Sequence, residues 1–177
     1  LFARSIYGPE HPYGISAPTE AYDTLTAADL RSFHHKHYTG NNCFVVMSGD
    51  TCDDKRDAVA GVAAALAAGN RYDRAKFPVP MSVRDAFMQF DGAVQSSIRM
   101  GKVMFPRRHP DFIGMQIVTT TLGGYFGSRL VQNLREEHGY TYGAYSAMVN
   151  FDHSGYMAIA TDVGRDVTQD AVEQILY

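Results

Sequence analysis

Apolar positions along the chain change period several times, and each change predicts an element. Ala27, Leu30, Phe33 and His37 fall on one face of a helix that starts after Thr26, a good N-cap with Asp29 three residues on. Cys43 to Met47 is short, apolar and β-prone, and predicts a buried strand broken by Gly49-Asp50-Thr51. Thr51 with Asp54 repeats a capping pattern, Val59, Val62, Ala63 and Leu66 form the stripe of a second helix, and Gly69-Asn70 ends it. A strand pair follows, from about Arg84 to Phe90 and from about Gln95 to Phe105, with Asp91-Gly92 as the turn.

Beyond Pro106 and Pro110, Phe112, Met115, Thr119 and Leu122 share a helical side that Gly123-Gly124 interrupts. A further helix spans about Ser128 to His138 and stops at Gly139. Two long strands, about Tyr140–Val149 and Ser154–Thr161, are joined around Asp152-His153-Ser154, and a last helix from near Asp166 is still running at Tyr177. Residues 1–25, with Pro9, Pro12 and Pro18, read as an extended connector, and residues 70–83, with Pro78 and Pro80, as a linker. Strands packed with blocks of helices, without strict alternation, predict an α+β sandwich. One face of a largely antiparallel sheet is covered by helices.

Composition changes this picture little. Apolar residues make up 45% and charged ones 20%, enough for a core, and the net charge of −3 gives no electrostatic reason to expect nucleic acid. No stretch approaches the roughly 18 consecutive apolar residues of a membrane span. Cys43 reads as a small buried hydrophobe and Cys52 as a residue at a helix start, so free thiols are expected rather than a bridge. The chain begins at Leu1 and stops inside a helix, and both ends read as cuts through something longer.

Seven histidines invite a metal reading. His34 and His37 lie one helical turn apart, but a zinc site wants three protein ligands, and capping and amphipathicity already account for this helix. Glu136-Glu137-His138 resembles the tail of the inverted zinc motif H-x-x-E-H, yet Leu134 stands where its first histidine belongs. Serine-nucleophile, cysteine-protease, P-loop and Rossmann signatures are absent. Asp50, Asp53, Asp54 and Asp57 suit a solvated helix N-terminus.

The stretch from Leu122 to Ser146 is richer, with a glycine pair, arginines on a helix and tyrosines on a strand. Arg135 lies near a helix end, and Tyr140 and Tyr142 share a face of the next strand, so a guanidinium and a phenol can reach one rim of the sheet. Both are donors of the kind a peptide carbonyl needs as it becomes an oxyanion. The competing reading is an arginine paired with a local carboxylate and tyrosines packed in a core. Spacing leaves the two open.

Leu122-Gly-Gly-x-x-x-Ser-Arg-Leu followed by Leu134-Arg-Glu-x-x-Gly-x-x-Tyr142 resembles the second structural repeat of the pitrilysin/insulinase zinc metallopeptidases, the inverzincins. His11-Pro-Tyr-Gly14, Leu25-Thr-Ala-Ala-Asp-Leu-Arg-Ser-Phe-His34, Asn41-Asn42, Val45 to Asp50 and Gln95-Ser-Ser-Ile98 extend the resemblance over nearly the whole chain. It implies that residues 1–40 close a preceding repeat and that 41–177 form a C-terminal-type α+β domain, truncated at its end. It further implies a metalloendopeptidase whose zinc is held by a homologous half, in the same chain or a partner subunit, and none by this chain, which is expected to be inactive alone. Arg135 and Tyr142 then carry catalytic roles, with Gly123, Gly124, Ser128 and Tyr140 in contact with a peptide substrate that adds as an extended strand. The alternative is a non-catalytic partner or core-type scaffold subunit of the same family.

Overall fold

The computed structural model describes residues 2–72, 77–78 and 85–177. Contacts divide it into two compact units, residues 16–75 and residues 1–15 with 76–177.

The elements described in the first unit are helical. For numbering along the chain, α1 is Phe2–Tyr7, α2 Thr19–Thr24, α3 Ala27–His37 and α4 Asp53–Ala64. The expected extended connector over residues 1–25 therefore contains two short helices. The prolines stand outside both, with Pro18 as the N-cap of α2, so they delimit helix rather than forbid it. At the start of α3, the Thr26 hydroxyl accepts from the Asp29 N–H at 3.2 Å while Asp29 Oδ2 accepts from the Thr26 N–H at 2.9 Å, a reciprocal capping box. The Thr26 hydroxyl also donates to Asp29 Oδ2 at 2.6 Å, and this bond, followed by the one from the Thr26 N–H, holds the Asp29 carboxyl below its ordinary range. At α4 the expected Thr51 cap is not made. Cys52 takes the N-cap position without a side-chain bond, and the helix ends at Ala64, short of Gly69-Asn70.

Cys43 to Met47 corrects a second expectation. Its backbone is extended at Cys43 (φ −120°, ψ 153°), but the stretch is no strand and is exposed, Phe44 at 89%. β-propensity describes a fit to a pleated neighbour, and among the described residues no strand pairs with these. Cys43 is thus exposed, as is Cys52, and both are free thiols.

The second unit holds a three-stranded antiparallel sheet in the order β1-β3-β2, with β1 Gln95–Met104, β2 Ala144–Asn150 and β3 Gly155–Gly164. Residues 85–90 form no strand, and Arg84 lies outside the described residues, so the expected partner of β1 is replaced by β3. Asp91-Gly92 does turn the chain, with the Ala93 N–H donating to Phe90 O at 3.3 Å. The helices are α5 (Phe112–Gly123), α6 (Arg129–Val131), which runs on as a π-helical turn Gln132–Glu137, and α7 (Thr168–Leu176).

Register decides what the sheet faces. Ile98 pairs with Thr161, Met100 with Ile159, and Ala144 with Thr161. These side chains meet Leu130, Leu134, Val163 and Ala171 in the core, with Leu134, Val163 and Ala171 fully buried. Burying each aliphatic side chain contributes about 1.5–3 kcal/mol. On β2, Ser146 donates to Thr119 O at 2.6 Å and ties α5 to the sheet. Gly123 permits the close approach, since a Cβ there would lie 2.5 Å from the Ser146 backbone nitrogen. On the opposite face, α1 lies against β1, with the Phe2 ring edge-on to Tyr156 at 5.6 Å.

Candidate functional site

Arg135 and Tyr142 stand on either side of a bend at Gly139. Upstream, Ser128 is the buried N-cap of α6, and its Oγ has no hydrogen-bond partner among the described residues. The helix then widens: the His138 N–H donates to Asn133 O, five residues back, at 3.1 Å. Gly139 takes φ +66°, a left-handed value that costs a residue with a Cβ roughly 1–2 kcal/mol. Its N–H donates to Arg135 O at 3.2 Å and the Tyr140 N–H donates to Leu134 O at 2.8 Å, so the bend closes the carbonyl end of the helix. Leu134 is sealed in the core, and Arg135, one position round the helix, is exposed.

Downstream, Thr141 fixes the chain as it enters the sheet. Its hydroxyl donates to Asp162 O at 2.7 Å and accepts from the Gly143 N–H at 3.1 Å, while the Thr161 hydroxyl reaches it at 3.0 Å. The pairing of β2 begins only at Ala144, later than the sequence predicts, because residues 141–143 spend their polar groups on this local knot. Tyr142 projects from it almost fully exposed, at 92%.

An open cleft of about 750 Å³ lies over the bend and is lined by Arg135, His138, Tyr140, Tyr142, Asp162 and Asp166, among others. Arg135 Nε is 3.4 Å from Glu136 Oε1, the local carboxylate contact that the structural reading of this arginine asks for. Its guanidinium carbon also lies 5.0 Å from the centroid of the Phe126 ring. Tyr140 is half-buried against the core cluster and stacks on His138 at 5.0 Å. Asp162 accepts from the Ser97 hydroxyl at 2.6 Å and from Arg99 at 3.2 Å. The Ser97 bond holds the Asp162 carboxyl below its ordinary range; burial opposes it, and Arg99 adds to the lowering.

The remaining sequence candidates lie elsewhere. Gly123 is pressed between β2 and Leu130, Gly124 caps α5 with its N–H donating to Thr120 O at 2.7 Å, and Ser128 is buried, so these three do not line the cleft. His138, Thr141, Asp162 and Asp166 do line it and are not among the substrate-contacting or catalytic residues expected from sequence. The partnership of Asp162 with Ser97 depends on β1–β3 register, which no local pattern encodes. His138 carried a signal only as the tail of an inverted zinc motif.

The stretch that resembles the inverted zinc motif does not fit zinc. Leu134 occupies the place of the first ligand of that motif and is wholly inside the core, and His138 is stacked on Tyr140. Among the described residues no group of three or more His, Cys, Asp or Glu side chains is placed to hold a metal. Among them too, no helix is long and apolar enough to cross a membrane.

Comparison with known proteins places these observations in a family. The family model described as the peptidase M16 inactive domain matches residues 24–177. An uncharacterized zinc protease of Mycobacterium bovis is 29% identical over 194 residues, 99% of this chain and 43% of that protein. The uncharacterized zinc protease YmxG of Bacillus subtilis is 23% identical, across 99% of this chain and 42% of its own. The chain therefore spans less than half the length of the curated relatives it matches. The crystal structure of a peptidase M16 inactive domain from Pseudomonas fluorescens superposes with a TM-score of 0.84 at 25% identity, covering 98% of this chain and 43% of that one. A chain of complex III2 from Candida albicans shares the fold alone, with a TM-score of 0.79 at 16% identity, over 98% of this chain and 44% of its own. The α+β architecture, the match over most of the chain and the likeness to zinc proteases agree: the chain belongs to the M16 (pitrilysin/insulinase) peptidase family and is of its inactive-domain type.

Proposed function

We propose that this chain is the non-metal half of a zinc-dependent metalloendopeptidase, and that Arg135 and Tyr142 contact the peptide at the scissile carbonyl. The observation that carries this reading is that both side chains, seven positions apart and on opposite sides of the Gly139 bend, line one open cleft. The zinc chemistry belongs to a homologous half. This chain's own residues bind and orient the peptide. The terminal N–H groups of Arg135 and the exposed hydroxyl of Tyr142 donate to the carbonyl oxygen as it gains negative charge, each such donor contributing a few kcal/mol to the barrier. Tyr140 and the aliphatic rim, Val94 and Val167, offer apolar surface for peptide side chains. Gly123, Gly124 and Ser128 support the site by setting how closely α5 and α6 approach β2.

The test is turnover of a peptide substrate by this chain assembled with a zinc-bearing half. Arg135→Ala and Tyr142→Phe are each expected to lower kcat by ten- to a thousandfold. Full activity in both variants removes the assignment. An intact assembly that stays inactive with zinc added points instead to the non-catalytic, scaffold-type member of the family.

A further inference from the structure

From the contact between Phe126 and Arg135, we infer that Phe126 is a positioning residue: its ring fixes the guanidinium of Arg135 in the orientation from which the terminal nitrogens face the cleft. This inference rests on the reading that Arg135 contacts the peptide, but its geometry can be tested separately.

A free arginine side chain turns about four bonds, and each freedom has to be lost before a carbonyl can be held. Two contacts remove them here. Glu136 Oε1 takes the Nε end at 3.4 Å, and the Phe126 ring lies 5.0 Å beneath the guanidinium carbon. A guanidinium held over an aromatic face leaves its terminal nitrogens available to a ligand. No other hydrogen bond occupies them among the described residues.

Phe126 itself is poorly explained by packing. It is 63% exposed, contributes nothing to the buried core cluster and does not line the cleft. Its backbone is nevertheless held, since the Ser128 N–H donates to Tyr125 O at 3.0 Å and the Gln132 side chain reaches Phe126 O at 3.5 Å. An exposed apolar ring on a tethered loop, nine positions before the arginine it covers, is accounted for by that arginine. Removing the ring leaves Arg135 in place but less ordered.

A cation–π contact at an exposed site is worth about 0.5–1 kcal/mol, two- to fivefold at 1.4 kcal/mol per decade. In the assembled peptidase, Phe126→Leu is expected to lower kcat two- to fivefold with little change in KM, and Phe126→Trp to retain or exceed the parent value. In an Arg135→Ala background, Phe126→Leu should cost nothing further. Equal activity of the Leu and Trp variants, or a full Phe126→Leu cost in the Arg135→Ala background, overturns the inference. A second measurement needs no turnover. The Nε–H resonance of Arg135 in this chain should show a ring-current shift that Phe126→Leu abolishes and Phe126→Trp preserves, and an unchanged resonance in Phe126→Leu also overturns it. If Arg135→Ala leaves kcat untouched while the resonance moves as expected, the catalytic reading of Arg135 fails and the positioning contact stands.

Discussion

The phenol of Tyr7 lies 3.1 Å from Ser154 Oγ and donates to Gly155 O at 2.9 Å, joining residues 147 and 148 positions apart. This ties α1 to the turn between β2 and β3, and Tyr7 is 1% exposed. Burial pushes its phenol up from the ordinary value, with the Ser154 hydrogen bond working the other way. Tyr7→Phe is expected to destabilise the chain by about 1 kcal/mol, the worth of a buried hydrogen bond, and Tyr7→Ala by about 3–5 kcal/mol. Urea denaturation measures both, and a Tyr7→Phe midpoint equal to the parent's would refute the tie.

Acid should weaken the β1–β3 pairing through Asp162. Its folded pKa is lowered, so the carboxylate contributes stability that is present above the unfolded value of about 3.9 and lost as pH falls through the folded one. The group is half exposed and water screens it, so the change is small. Ser97→Ala removes the principal cause, and this variant should lose less stability between pH 5 and pH 3 than the parent does. Identical losses in the two proteins would exclude the linkage.

Two glycines of α5 should respond in opposite directions. Gly123→Ala forces a methyl to 2.5 Å from the Ser146 nitrogen and 2.9 Å from the Tyr145 carbonyl carbon, both backbone atoms, and is expected to cost at least about 1–3 kcal/mol. Gly114 faces open space within the same helix, so Gly114→Ala should stabilise by about 0.5–1 kcal/mol. Thermal melts of the pair decide it, and shifts of the same sign would contradict the packing described for α5.

Replacing Arg135 by lysine tests whether a fork or merely a charge is needed. Lysine keeps the cation but neither the guanidinium over the Phe126 ring nor the paired N–H edge. Arg135→Lys is therefore expected to turn over peptide more like Arg135→Ala than like the parent, at an unchanged melting temperature because the side chain is exposed. Parent-like kcat in the lysine variant would mean that charge alone suffices.

The second unit was the more legible in sequence. Helix α5, the helical stretch before Gly139, both long C-terminal strands and the final helix all lie within a few residues of where hydrophobic period and glycine placement put them. Each contributes residues to, or packs beside, the same core, so local pattern and tertiary packing agree. Sequence failed where pairing, rather than propensity, decides. Phe44, Val45 and Val46 have every mark of a strand but no pairing strand among the described residues, and β1 takes β3 as its partner instead of the stretch just before it. The candidate site divides in the same way. The Gly139 bend, with Arg135 before it and Tyr142 after it, could be read from spacing, while their roles came only from the family resemblance; Phe126 beneath Arg135 and Ser97 beside Asp162 are products of the fold.

The widened turn over Gln132–Glu137 has a bearing on how this stretch can vary. A π turn amounts to one residue inserted into an α-helix, and each α-helical residue turns the chain by about 100°. Deleting a single residue there would restore a regular spiral and swing everything before it by that angle relative to Gly139. Leu134 could then stay in the core only if Arg135 and the bend lost their present phase. Chain length across these six positions thus sets the phase between the buried Leu134 and the bend at Gly139.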